Sequence, residues 1–216
     1  MPLPADMALI GEILQFIGVF VSFSIAYVAF RGVRQTESST LLRLATAFMF
    51  LGFGFLVEGV VGLSSLLPAP QISTTAVVVA GLLLETTGYF FLAFSHVVDV
   101  MISKRIGAAL IIFPVVTLTG AQISDILSIL SFYFVLYGVV ETAYSYSRTR
   151  KPDTLLIASG LALIGVGTFV QWLSLLYIQV DLLSLLQIIM KEMGLVTLFI
   201  PVLRFAVGGV KPDGTV

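Results

Sequence analysis

The sequence predicts an all-α integral membrane protein, a single domain over residues 1–216 with seven transmembrane helices. Three observations carry that prediction. Hydrophobic residues make up 58% of the chain and charged residues 11%, with a mean hydropathy of +1.10. Soluble domains hold roughly 25% charged residues, so a chain this apolar finds its solvent in lipid. Seven apolar runs approach the length of about 20 residues that crosses a bilayer as a helix. Finally, every second connection between those runs is basic.

The runs cover residues 7–30, 40–66, 75–101, 106–119, 124–146, 154–177 and 182–205. The first reaches Phe30 with no small-residue cleavage site behind it, so it reads as a retained span and not as a signal peptide. The fourth is short and holds Pro114, and alone it would pass for a re-entrant loop. Charge decides its reading. Arg31, Arg34 and Arg43 surround the first connection, Lys104 and Arg105 the third, and Arg148, Arg150 and Lys151 the fifth, while Arg204 and Lys211 follow the last run. The connections near 68–73, 120–122 and 179–181 carry no Lys or Arg. Basic loops stay in the cytoplasm, so the fourth and fifth runs both cross. The topology is N-terminus out and C-terminus in, multi-pass, in the cytoplasmic membrane of the cell.

Composition also excludes function classes. Without cysteine there are no disulfides, thiolate metal sites, iron–sulfur clusters or covalently attached haem. One histidine cannot make a bis-histidine site, and no metal or cofactor is expected. A net charge of -1 leaves no basic face for nucleic acid. Asparagine is absent as well, which fits a heat-adapted source. The short connections leave no room for a soluble catalytic domain. No nucleophile stands at protease-like spacing from a base, so the chain does not read as an enzyme.

An internal repeat is visible. Arg34, Thr40-Leu41-Leu42, Gly52-x-Gly54 and Glu58 recur as Arg148, Thr154-Leu155-Leu156, Gly165-x-Gly167 and Gln171, at an offset of 113 to 114. Glu85-Thr86-Thr87-Gly88 rhymes more loosely with Glu192-Met193-Gly194. Residues 7–101 and 124–205 then form parallel three-helix repeats around a linker helix at 106–119. The plan resembles the SWEET transporters in architecture alone. Their PQ-loop is not matched, because Pro70-Gln71 sits in an outer loop.

Ionisable groups near the middle of a membrane cost about 2.5–3.5 kcal/mol on insertion scales, so each needs a reason. Counting from the span ends at about 1.5 Å per residue puts Glu58, Glu85 and Lys191 at one depth, with Gln171 slightly shallower. Helical spacing aligns Glu85, Tyr89, His96 and Asp99 on one face of the third helix, and Ser184, Gln187 and Lys191 on one face of the seventh. Tyr133, Tyr137, Glu141 and Tyr144 form a similar stripe on the fifth, and the three stripes are expected to line one cavity. Glu12, Asp125 and Asp181 lie near the outer surface, where snorkelling suffices. The glycines Gly54 and Gly62, on the face of Glu58, allow close helix approach.

The site drawn from these residues is a solute or ion pathway of Glu58, Glu85, Tyr89, His96, Gln171, Gln187, Lys191 and Glu192. It suits a small-solute or proton-coupled ion transporter. A non-catalytic accessory or sensory subunit of a larger membrane complex fits the same composition, with lipid, further membrane subunits or a second copy as partners. Seven helices with a lysine in the last one also resemble the microbial rhodopsins, which would make Lys191 a Schiff base and Glu85 its counter-ion. That resemblance lacks the carboxylate four residues before the lysine, where Gln187 stands, and Trp172 is the sole tryptophan.

Overall fold

A computed structural model describes residues 5–66, 74–94, 120–176 and 181–208. They form six helices: α1 (Ala5–Thr36), α2 (Ser39–Leu66), α3 (Thr74–Phe94), α4 (Gly120–Thr149), α5 (Pro152–Leu176) and α6 (Asp181–Gly208). Each is long and apolar enough to cross a membrane. The fourth apolar run, 106–119, lies outside the described residues, as do His96 and Asp99. Six of the seven expected spans are therefore seen as helices.

The long helices stop where the backbone turns left-handed. After α1, Glu37 adopts a φ of 52° and its N–H donates to the Val33 carbonyl at 2.8 Å. After α4, Arg150 adopts a φ of 54° and donates to Tyr146 at 2.8 Å. A left-handed residue closing the last helical turn is the usual helix stop, though glycine is its usual occupant. The Ser38 hydroxyl then accepts the Leu41 N–H at 3.5 Å, and Pro152 takes the first position of α5, where its missing N–H costs nothing. Two-residue turns thus fold α1 onto α2 and α4 onto α5.

The helices close into a ring in chain order, each packed on the two beside it, with α6 returning to α1. The directions are informative. Along α2–α3 and α5–α6 the contacts run in opposite senses, as hairpins require. Along α3–α4 they run in the same sense: Thr86 meets Ser131, Phe90 meets Phe134 and Phe94 meets Tyr137. The α6–α1 seam is parallel too, because Ile188 lies by Gly11 and Glu192 by Gly18. A core of Ile25, Leu51, Phe55, Tyr89, Ile164 and Leu195 fills the ring.

Two close approaches position the interior polar groups. A Cβ at Gly54 would meet Glu85 Cγ at 2.7 Å and the Gly81 carbonyl at 3.2 Å. A Cβ at Gly167 would meet Lys191 Cγ at 2.8 Å and the Gln187 carbonyl at 2.9 Å. Small residues at these sites let α3 and α6 press onto α2 and α5. The long side chains of Glu85 and Lys191 are directed inward by the same contacts.

The structure corrects one expectation here. The tyrosine stripe of α4 does not line the interior: Tyr133 is 60% exposed, Tyr144 57% and Tyr137 43%. Ser184, expected on the Lys191 face, is exposed as well. Spacing identifies a face of a helix, but the ring presents that face of α4 outward. Tyr144 stands near the helix end, where an amphipathic ring suits the membrane edge, and Tyr133 and Tyr137 face outward from the middle of the helix.

Candidate functional site

Glu85 of α3 and Lys191 of α6 come from opposite sides of the ring and meet at its centre. Lys191 Nζ donates to Glu85 Oε2 at 2.8 Å, and the two residues are 4% and 1% exposed. The Phe55 ring lies 5.7 Å from the ammonium, close enough for a cation–π contact. Depth counting from the helix ends had put these two residues level, and they touch. Lys191 is the one buried cation among the described residues.

Carboxylates outnumber it. Glu58 on α2 is partly buried and accepts a hydrogen bond from Gln15 Nε2 of α1 at 2.8 Å. Its side chain packs on Gly81 of α3. Glu192, next to Lys191 on α6, is 4% exposed and lies where a Cβ on Gly18 of α1 would collide with its carboxylate. Glu12 packs in the same way against Gly62 of α2. One oxygen each of Glu12, Glu85 and Glu192 is buried with no hydrogen-bond partner, and so is the carbonyl oxygen of Gln187. Buried polar atoms are nearly always satisfied. Ser22 Oγ, Tyr89 Oη, Ser128 Oγ and Trp172 Nε1 are likewise buried without a partner, so such atoms occur on five of the six described helices. Three of the carboxylate and amide oxygens belong to Glu85, Gln187 and Glu192, in or beside the central pair.

The remaining predicted residues divide. Tyr89 is 1% exposed and its hydroxyl is unpaired, one helical turn from Glu85, in the layer of Leu51, Ile164 and Leu195. Gln171 is buried on α5. His96 lies outside the described residues. Beyond the Tyr89 layer an apolar cavity of about 110 Å³ occupies the half of the bundle that holds the two tight turns. Leu44, Phe48, Leu92, Ile157, Leu161 and Leu198 are among its walls. Polar groups and apolar cavity are thus separated by one tightly packed layer.

Sequence reasoning missed Gln15 and Gly18. Gln15 is an amide within an otherwise apolar run, which is a usable signal. Gly18 carried none, because its role depends on which helix lies opposite. Glu12 was assigned to the surface, where a carboxylate reaches water; instead one of its oxygens is enclosed, since α2 covers it. Among the described residues no group of three or more His, Asp or Glu converges on a metal position. Comparison with protein-family models, with curated proteins and with solved structures found no match.

Proposed function

We propose that this chain is a non-enzymatic transport protein of the cytoplasmic membrane, moving a small solute or ion with proton coupling. In this reading two parallel three-helix repeats, 7–101 and 124–205, enclose a pathway along the axis between them. The observation that carries the proposal is the Glu85–Lys191 contact. Equivalent residues of two units related by a two-fold axis touch one another only beside that axis.

Their equivalence rests on paired contacts. Gly54 faces Glu85 as Gly167 faces Lys191, and Gly88 meets Leu51 as Gly194 meets Ile164. The left-handed turns at Glu37 and Arg150 sit 113 residues apart, as do Gly54 and Gly167. Leu44 and Ile157, and Phe48 and Leu161, keep that offset in the walls of the apolar cavity. In the third helices the offset is 106, which matches Glu85 with Lys191 and Thr86 with Glu192. The direction of the described helices supports a seventh crossing at 106–119, since α3 and α4 run parallel. With the basic turns in the cytoplasm, the polar region lies toward the outside and the apolar cavity toward the inside.

Sites between repeats near the membrane midplane serve alternating access, and a buried charge pair held there over a closed apolar layer suits that role. The test is reconstitution into proteoliposomes adsorbed on a solid-supported membrane. Rapid exchange of monovalent ions, sugars and amino acids should give transient currents for at least one class. Glu85→Gln should abolish them while helicity and monodispersity persist. Currents that survive that substitution would remove the pathway from the axis. Co-purification with stoichiometric membrane subunits and no current of any kind would favour the accessory-subunit reading.

A further inference from the structure

The two parallel seams of the ring occupy equivalent places but hold different chemistry. At α3–α4, Thr86 Oγ1 lies 2.7 Å from the Leu82 carbonyl, 3.2 Å from the Leu127 carbonyl and 2.8 Å from the Ser131 hydroxyl. The Thr86 hydroxyl is fully used there, whereas on the same helix α4 Ser128 Oγ is buried without a partner and the partly buried Asp125 stands at the 113-residue offset from Glu12. At α6–α1, the position of Thr86 is taken by Glu192 and that of Ser131 by Gly18, whose missing side chain makes the room. Gln15 and Glu58 stand beside it, and Glu12 lies two turns from Gly18 toward the outer end.

We infer that the α1–α2–α6 seam is a proton-binding path, loaded from the outer end through Glu12, with Glu58 and Glu192 as its carriers. The inference rests on the transport reading and names the residues that carry its coupling proton. Charge counting supports it. Glu58, Glu85 and Glu192 stand around Lys191, the one buried cation among the described residues, with the partly exposed Glu12 nearer the outer end. Tyr89 faces the group from α3, and the buried Thr168 and Gln171 of α5 are neutral. A buried carboxylate without a counter-charge is too costly to persist, so the excess is balanced by something taken from water. A metal cation would need several ligands at one point, and no such convergence exists among the described residues. Dispersed carboxylates, each with its own proton position, suit protons instead. The orphaned Oε2 of Glu192, on a residue 4% exposed, is the position such a proton would occupy.

The path is one-sided. Leu51, Ile164 and Leu195 pack across its inner end, where Tyr89 Oη and, one turn inward of Gly18, Ser22 Oγ are buried polar atoms. In this reading a proton arriving from outside stops at the axis until the repeats move against each other. At that point it competes with the Lys191 ammonium for Glu85, which gives the pair a reason to be ionic and not apolar.

The experiment is pH-difference infrared spectroscopy of the full chain in liposomes, with the carbonyl stretch of protonated carboxyl groups as the signal. It needs no knowledge of the solute. Wild type should show a buried carboxyl band, retained on deuterium exchange of surface groups. Glu192→Gln and Glu58→Gln should each remove part of it, and Ser131→Ala should leave it intact. A wild-type spectrum with no such band, or one unchanged in both Gln variants, overturns the inference. A parallel measurement with an internal pH dye separates the two readings. Solute-driven currents without a carboxyl band would leave transport standing and remove protons as the coupling ion. Absence of both would remove transport as well.

Discussion

The α3–α4 and α6–α1 seams show how one architecture supports two chemistries. Both join parallel helices, and both place a buried residue of one helix, Thr86 or Glu192, against a small residue of its neighbour, Ser131 or Gly18. On one side Thr86 and Ser131 exchange a hydrogen bond at 2.8 Å; on the other Glu192 presses a carboxylate over Gly18. The Thr86–Ser131 contact resembles ordinary membrane packing, where hydroxyls hold helices together, although Ser128 Oγ of α4 is also buried without a partner. An unpaired carboxylate oxygen such as that of Glu192 costs more stability than an unpaired hydroxyl, and a cost retained in the interior is a better guide to function than a well-made contact.

The largest expected effect lies where the two seams meet the axis. Lys191→Met leaves Glu85 buried without its partner and should cost about 3–5 kcal/mol, read as a fall in thermal stability in mild detergent. The exchanged pair, Glu85→Lys with Lys191→Glu, should recover most of the loss under the proposed repeat, in which the two positions are equivalent beside a two-fold axis. A swap no better than the single substitution would mean that the two halves are not equivalent at the axis.

Filling the acidic seam comes next. Gly18→Val forces its side chain into the space of the Glu192 carboxylate and should cost about 1–3 kcal/mol as overpacking. Its counterpart Ser131→Ala should cost only about 0.6 kcal/mol, the average for an interhelical hydrogen bond in a membrane. Equal losses in the two variants would show that the seams differ in sequence and not in tightness.

Between these two in size lies a control at which the halves should agree. Glu37→Gly and Arg150→Gly each relieve a left-handed residue, with φ of 52° and 54°. Each should stabilise the protein by about 1 kcal/mol. Matched gains at the turns with unmatched losses at the seams would place the asymmetry in the polar interior alone.

Much of this site was legible before the fold was known, and the reasons differ by residue. Glu85 and Lys191 were found by counting depth, because a charge far from either end of an apolar helix has few places to go. The sequence rhyme matches Glu192 with Glu85, whereas the contacts of Gly54 with Glu85 and of Gly167 with Lys191 make Lys191 the counterpart of Glu85 in the proposed repeat, and Lys191 pairs with Glu85 directly. A one-residue ambiguity of this kind is invisible in apolar sequence and decisive in a helix, where it rotates a side chain by about a quarter of a turn. The tyrosines of α4 failed for another reason: spacing puts them on one face, and which way that face turns is set by the neighbouring helices, which present it outward. Thr86 and Ser131 gave no warning, since hydroxyls in such helices often bond the carbonyl a turn earlier, as Thr87 and Thr142 do here.

By itself the sequence determined the helical membrane class, the ends of most spans and the few charges that need an explanation. Those follow from composition and period, because lipid excludes unpaired backbone and penalises charge one residue at a time. Only the tertiary structure decided that the helices form a ring in chain order, that α3 and α6 meet across it, and which seam carries the acids. The physical reason is that pairing is a property of two surfaces. Glu85 finds Lys191, and Glu192 finds the gap at Gly18, through close approaches that no single helix encodes.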